Sequence, residues 1–168
     1  MSALAILLKA HGLEVSGCDL KPPHYNLGSI PCELSHSHEH IERYAPDALI
    51  LSTAVHRDNP EVTYAVSKGI PIFSRAQALS YLFNKCEGIG IAGAHGKTTT
   101  TSMTGLIFLK AGKNPTVYVG ANVPDIGSNA VSGSAFRRSR RRGYRLRVSL
   151  PPPRWTGRSQ SRRRVTFL

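Results

Sequence analysis

What this 168-residue chain has little of narrows it first. It has three cysteines, Cys18, Cys32 and Cys86, odd in number and scattered without a CxxC pair. That excludes a disulfide framework and gives no zinc signature, so single buried thiols are expected. No apolar run approaches the roughly 20 residues a membrane span needs. The short run Leu4 to Leu8 lacks a basic flank and reads as one face of a helix rather than a signal peptide. The chain is therefore expected to be cytoplasmic, with no membrane partner. Acidic residues are absent after Asp125, and that absence marks a break in composition.

The formal net charge of +12 is not spread along the chain. Residues 1–135 carry ten Lys and Arg against ten Asp and Glu, so they are neutral. The other twelve basic residues, all arginine, fall in 136–168. An arginine-rich arm with Tyr144, Trp155 and Phe167 reads as a nucleic-acid contact, because each cation set on a phosphate releases a counterion. A solvated, disordered tail is the plainer reading: Pro151 to Pro153 and few periodic apolar residues leave little to offset ordering entropy.

Before that break, apolar strands alternate with helical segments. Residues 2–10 have helical character and stop at Gly12, which suits a C-terminal cap. Leu13 to Cys18 alternates as a strand ending at Asp19, and Ala48 to Ser52 is a continuous apolar strand of the buried parallel kind. Pro60 opens a helix to Lys68, 71–73 is a short strand, and Arg75 to Phe83 a further helix. The pattern predicts an α/β fold with a mainly parallel sheet. Residues 84–87 make a plausible boundary, after which a strand (88–92), a helix (98–111) and a strand (116–120) begin a second α/β unit.

The most informative stretch is 88–101, GIGIAGAHGKTTTT. A short apolar run leads into Gly93-Ala94-His95-Gly96-Lys97-Thr98-Thr99 and then a helix, the layout of a phosphate cradle. Glycines let backbone N–H groups turn inward, the helix start adds its positive dipole end, Lys97 neutralises phosphate charge, and the Thr98 hydroxyl suits Mg2+. The spacing departs from G-x-x-x-x-G-K-[ST], because Ile91 stands where the first glycine would be. A βα turn that merely needs glycines explains neither Lys-Thr after Gly96 nor the threonine run.

A-G-x-H-G-K-T-T-T-T resembles the ATP loop of the Mur ligases, which build the peptide stem of bacterial peptidoglycan. His95 and the threonines look most like the branch that joins L-alanine to UDP-N-acetylmuramate. Ser52-Thr53-Ala54-Val55 followed by Asp58-Asn59-Pro60-Glu61 is similar to the family's S-S-A-[IV]…D-N-P-E segment. Residues 1–19, 69–72 and 75–79 also match, so the resemblance runs nearly continuously to about residue 135. It implies a Rossmann-like UDP-sugar-binding domain over 1–84, its first strand missing, then the start of a P-loop ATP-binding domain over 85–135, with 136–168 as a disordered arginine-rich tail. The chain opens at Met-Ser, where the family's Gly-rich turn would be ending.

The resemblance implies ATP and Mg2+ as cofactors and UDP-N-acetylmuramate and L-alanine as substrates. Lys97 and Thr98 are the implied catalytic groups, Gly93, Ala94, His95, Gly96, Lys97, Thr98 and Thr99 the ATP contacts, and Thr98 the metal ligand. Asp19, at a strand end where Rossmann-like folds place a ribose contact, is a substrate candidate with Ser52, His56 and Asn129. In the family, a carboxylate attacks the γ-phosphate and the alanine amine then displaces phosphate. The acidic magnesium ligand and later basic groups have no counterpart here, so the chain alone is expected to show no ligase turnover.

Two further readings follow. His36, His38 and His40 form H-x-H-x-H, but alternation shares one face only in a strand. Residues 35–42 read as a loop entering a helix, so exposed polar side chains are expected there rather than a metal site. The tail is also read as a shifted reading frame. The permitted codons CGT CGC AGC CGA CGA CGA GGC for Arg137 to Gly143, read one base later, give Val-Ala-Ala-Asp-Asp-Glu, near the family's acidic strand end. The alternative function is a nucleotide- or nucleic-acid-binding module with a basic arm, nucleic acid being a partner only if that arm is genuine.

Overall fold

The computed structural model describes residues 1–23, 27–84, 87–133 and 163–168. Helix α1 (Ser2–Ala10) buries Ala3, Leu4, Ala5, Leu7 and Leu8, a helical stripe that turns one face onto the sheet. It ends at Gly12, whose φ of +87° is a backbone setting that glycine adopts without strain. Strand β1 (Glu14–Cys18) follows, then the two-residue β2 (Cys32–Glu33). Helix α2 (His38–Tyr44) starts at Ser37, whose hydroxyl accepts the Glu39 N–H at 3.3 Å.

Strand β3 (Ala48–Leu51) leads to α3 (Pro60–Ser67), where the Asn59 side chain accepts the N–H groups of Glu61 and Val62, and Pro60 fills the first turn. Strand β4 (Ile72–Ser74) runs into α4 (Arg75–Phe83) through a capping box. Ser74 Oγ accepts the Gln77 N–H, and Gln77 Oε1 accepts the Ser74 N–H. These elements meet the α/β expectation from the sequence.

With β7 (Arg164–Phe167), the five strands of the main sheet lie in the order β2-β1-β7-β3-β4, and all are parallel. Strand β7 comes from the arginine-rich segment, so the expectation of a disordered tail does not hold for residues 163–168. It takes the slot between β1 and β3, while the first strand that the resemblance implies is still absent from the sequence. Val165, Thr166, Phe167 and Leu168 are each no more than 5% exposed. Four apolar or β-branched residues suffice because the central slot gives a strand two hydrogen-bonded neighbours and two covered faces. The Thr166 and Ser16 hydroxyls pair at 2.7 Å, and Asp47 accepts the Arg164 N–H at 2.7 Å where the strand enters. The remaining tail residues, 134–162, lie outside the described residues, and with them the shifted-frame and basic-arm readings.

The second unit differs from expectation. Residues 88–92 form no strand, and Ile89 is 65% exposed. Gly88 and Gly90 weaken strand character, and the strand expected to support this run pairs elsewhere. That strand, β5 (Val117–Val123), forms an antiparallel ribbon with β6 (Ser128–Val131), joined by a 3₁₀ turn at Pro124–Ile126. Helix α5 (Lys97–Lys110) buries only Gly105. A Cβ there would lie 2.9 Å from Val117 Cγ1, so the missing side chain lets α5 approach β5. Ala130 of β6 and Tyr118 of β5 join the apolar cluster around α1.

Candidate functional site

Strands β1, β7 and β3 end together, and their carboxyl ends face a cavity of about 270 Å³. In the order β2-β1-β7-β3-β4 the chain direction of winding reverses at the centre, the place where open parallel sheets bind ligands. Asp19, Lys21, Ser52 and Ser2 bring polar groups to the wall, and Phe167 and Ile30 apolar surface. Asp19 is exposed and its carboxylate accepts the Lys21 N–H at 3.0 Å. The Ser52 N–H donates to the Leu168 carbonyl at 2.9 Å, and its hydroxyl accepts the Ala54 N–H at 3.2 Å. Such a wall suits a ligand with hydroxyl donors and a flat apolar portion.

Of the other two substrate candidates, neither lines this cavity. His56 is exposed on the loop between β3 and α3, so the structure does not bring it to the strand ends. Asn129 is buried in β6, and its Nδ2 donates to Ser2 Oγ at 2.9 Å while its Oδ1 is buried without a hydrogen-bond partner. It stands behind the cavity wall, holding Ser2, rather than in it.

The glycine loop 93–99 is exposed throughout. Gly93 has φ +154° and Gly96 φ +76°, and Gly96 is the residue on which α5 starts, with no side-chain cap. The helix start therefore leaves its first N–H groups for an external acceptor. Lys97 folds back, its ammonium donating to the carbonyls of Gly93 and Ala94 at 2.5 and 2.8 Å. Thr98 and Thr99 sit exposed in the first turn, and Thr101, Ser102 and Thr104 turn their hydroxyls onto carbonyls four residues back. These residues fit a phosphate chain with its Mg2+ locally: uncapped amides, the Lys97 ammonium beside them and an exposed Thr98 hydroxyl. The strand that would carry the loop is not formed.

The histidine segment differs from the sequence expectation. His36 and His40 are not exposed polar residues; both turn inward onto Glu61, which is 0% exposed. His40 Nδ1 lies 2.7 Å from Glu61 Oε1 and His36 Nδ1 lies 3.2 Å from Oε2. The Cys18 thiol donates to Oε2 at 2.8 Å. Burial first, and then the Glu61 carboxylate, push that thiol far above the ordinary cysteine range, so it is protonated. His38 points away and stacks near Tyr64, ring centres 5.4 Å apart. His36 lies in the turn before α2 and His40 in its first turn, so no single periodicity relates them, and it is Glu61 of α3 that gathers both.

Comparison with known proteins agrees with this geometry. The family model described as "Mur ligase family, catalytic domain" matches residues 1–86. A UDP-N-acetylmuramate--L-alanine ligase of Pelotomaculum thermopropionicum is 39% identical over 138 residues, covering 79% of this chain and 29% of its own length. One from Nitratidesulfovibrio vulgaris strain DP4 is 44% identical over 135 residues, covering 79% and 30%. The chain thus spans about 30% of the length of these relatives. The crystal structure of the UDP-N-acetylmuramate-alanine ligase of Thermotoga maritima superposes with a TM-score of 0.72 at 29% identity, over 80% of this chain and 33% of that one. A Neisseria meningitidis UDP-N-acetylmuramate:L-alanyl-gamma-D-glutamyl-meso-diaminopimelate ligase shares the fold, with a TM-score of 0.70 at 24% identity over 99% and 48%. No helix among the described residues is long and apolar enough to cross a membrane. With half of its residues in one family model and its parallel sheet shared with solved members, the chain belongs to the Mur ligase family.

Proposed function

We propose that this chain serves the ligase reaction that joins L-alanine to UDP-N-acetylmuramate at the expense of ATP, a cytoplasmic step of peptidoglycan synthesis. The observation that carries the reading is the cavity at the ends of β1, β7 and β3, with Asp19 and Ser52 on its wall, in a chain some 40% identical to ligases of that name. Asp19 accepts hydroxyl hydrogens of the ribose, and the Ser52 hydroxyl contributes a further polar contact. Asn129 acts through Ser2, and His56 borders the loop beyond. Residues 1–84, joined by β7, are the nucleotide-sugar unit, and 85–135 the ATP unit.

ATP supplies the phosphoryl group that activates a carboxylate, and Mg2+ neutralises its phosphate oxygens. The chain's own part is to receive them. Gly93, Ala94, His95 and Gly96 shape the turn, the amides of Lys97, Thr98 and Thr99 donate to phosphate oxygens, and Lys97 leaves the two carbonyls it now holds to pair with phosphate. The Thr98 hydroxyl is a metal ligand of the required oxygen type. Neither the fold nor the family comparison supports a chain without turnover or a nucleic-acid-binding module.

Lys97→Ala is expected to weaken ATP binding, measured by calorimetry at fixed Mg2+, by about 10-fold or more, since a charge-assisted hydrogen bond contributes roughly 1.5–3 kcal/mol. His95→Ala should weaken it less, and Thr98→Ala should chiefly reduce the dependence on Mg2+. Equal ATP affinity for the parent chain and Lys97→Ala would remove the loop from the site.

A further inference from the structure

The geometry points to a divalent transition-metal site, of the kind that takes Zn2+, built from Cys18, His36, His40 and Glu61. The four residues come from four places: the end of β1, the turn before α2, the first turn of α2 and the first turn of α3. Ligand atoms of Cys18, His40 and Glu61 all lie within 4.8 Å of one another, and all three residues are buried. His36 closes the set, its Nδ1 3.5 Å from Cys18 Sγ and 3.2 Å from Glu61 Oε2.

The Cys18–His36 and His36–Glu61 separations are close to the edges of a coordination tetrahedron. With metal–sulfur bonds of about 2.3 Å and metal–nitrogen bonds of about 2.1 Å, a sulfur–nitrogen edge is about 3.6 Å and a nitrogen–oxygen edge about 3.4 Å. The shorter contacts, Cys18 to Glu61 Oε2 at 2.8 Å and His40 to Glu61 Oε1 at 2.7 Å, are hydrogen bonds that lengthen by roughly 0.7–0.8 Å when a cation replaces their protons, the carboxylate turning to offer one oxygen. One thiolate, two imidazoles and one carboxylate match the softness of Zn2+ or Co2+ rather than Mg2+, which prefers all-oxygen shells.

The chemistry also explains why so polar a cluster is buried. A carboxylate with no solvent exposure is costly unless its charge is balanced, and among the described residues its bonded partners are Cys18, His36, His40 and the Ser37 N–H, with no lysine or arginine. A doubly charged cation with one thiolate and one carboxylate leaves the site neutral. On binding, the Cys18 proton passes to solvent, the sulfur–metal bond forms, and each histidine binds through Nδ1 with its proton on Nε2. No oxidation change is involved. The ion would fasten α2 and α3 to the end of β1, directly behind Cys18, which also borders the nucleotide cavity.

The test is Co2+ titration of the full chain after removal of metals with a chelator. One equivalent should bind, with the intense visible bands of tetrahedral Co2+ and a near-ultraviolet sulfur-to-cobalt band, both abolished by Zn2+ displacement. A Cys32→Ser/Cys86→Ser chain, in which Cys18 is the one thiol left, should keep the sulfur band, and His38→Ala should keep all bands. Cys18→Ser should lose the sulfur band and His40→Ala the tight binding. The chelated chain should melt at lower temperature than the Zn2+-loaded one. Absence of the bands in the parent chain, or their loss in the double cysteine variant while circular dichroism remains native, overturns the site. Persistence of the sulfur band in Cys18→Ser would do the same. Should Cys18→Ser or His40→Ala not fold, the parent, double cysteine and His38→Ala spectra decide it.

Discussion

Val165→Asp is expected to abolish cooperative folding of the five-stranded sheet. Val165 is 1% exposed and sits in the central strand, opposite Val15 of β1 and Ala48 of β3. An unpaired carboxylate there loses its hydration without gaining a partner, a cost of several kcal/mol against a total stability of about 5–15 kcal/mol. Thr166→Pro should act by another route, removing a ladder hydrogen bond and clashing in a strand bonded on both sides. Urea unfolding followed by circular dichroism reads both. A Val165→Asp midpoint equal to that of the parent would mean that β7 does not hold the centre of the sheet.

Glu61→Ala should destabilise the chain by about 3 kcal/mol or more, since each buried polar group left without its partner costs roughly 1–3 kcal/mol. The side chain accepts from the Cys18 thiol and from the backbone N–H of Ser37, and it faces Nδ1 of both His36 and His40. Its removal orphans these groups together and leaves a void among β1, α2 and α3. Glu61→Gln fills the void but loses the charge, so its loss should be smaller. The measurement is the urea midpoint with chelator present, which separates this effect from metal binding. Two variants indistinguishable from the parent would show that the cluster adds nothing to stability.

Local signals were legible in the sequence wherever one residue type decides local structure. Pro60 and Gly12 set helix ends that the structure reproduces. The apolar run from Ala48 became a buried parallel strand. What was not legible depended on partners distant in sequence. Residues 164–167 look unremarkable after a run of arginines, and only the slot between β1 and β3 gives them a fold. Residues 88–92 look like a strand, yet without paired neighbours they form none and Ile89 stays exposed. His36 and His40 acquire meaning only once α3 presents Glu61 to them.

Asp19 and Ser52, placed on strand ends by sequence reasoning, reached the cavity because strand ends are local features that the fold then gathers. His56 and Asn129 lay farther from a strand terminus or in another sheet, and their distance from the cavity followed from loop direction and from the β5–β6 pairing. The glycine loop kept its local form, with left-handed Gly96 and an uncapped helix start, since turn and helix need no sheet to form.

The most direct measurement is titration of the isotopically labelled chain with UDP-N-acetylmuramate, following backbone amide shifts. The account predicts saturable shifts at Ser2, Asp19, Ser52 and Leu168, which surround the cavity. Asp19→Ala should weaken binding about 10-fold, the equivalent of one lost charge-assisted hydrogen bond, and His56→Ala should leave it unchanged. No saturable shift at those four residues, or an affinity untouched by Asp19→Ala, would contradict the assignment of this cavity to the nucleotide sugar.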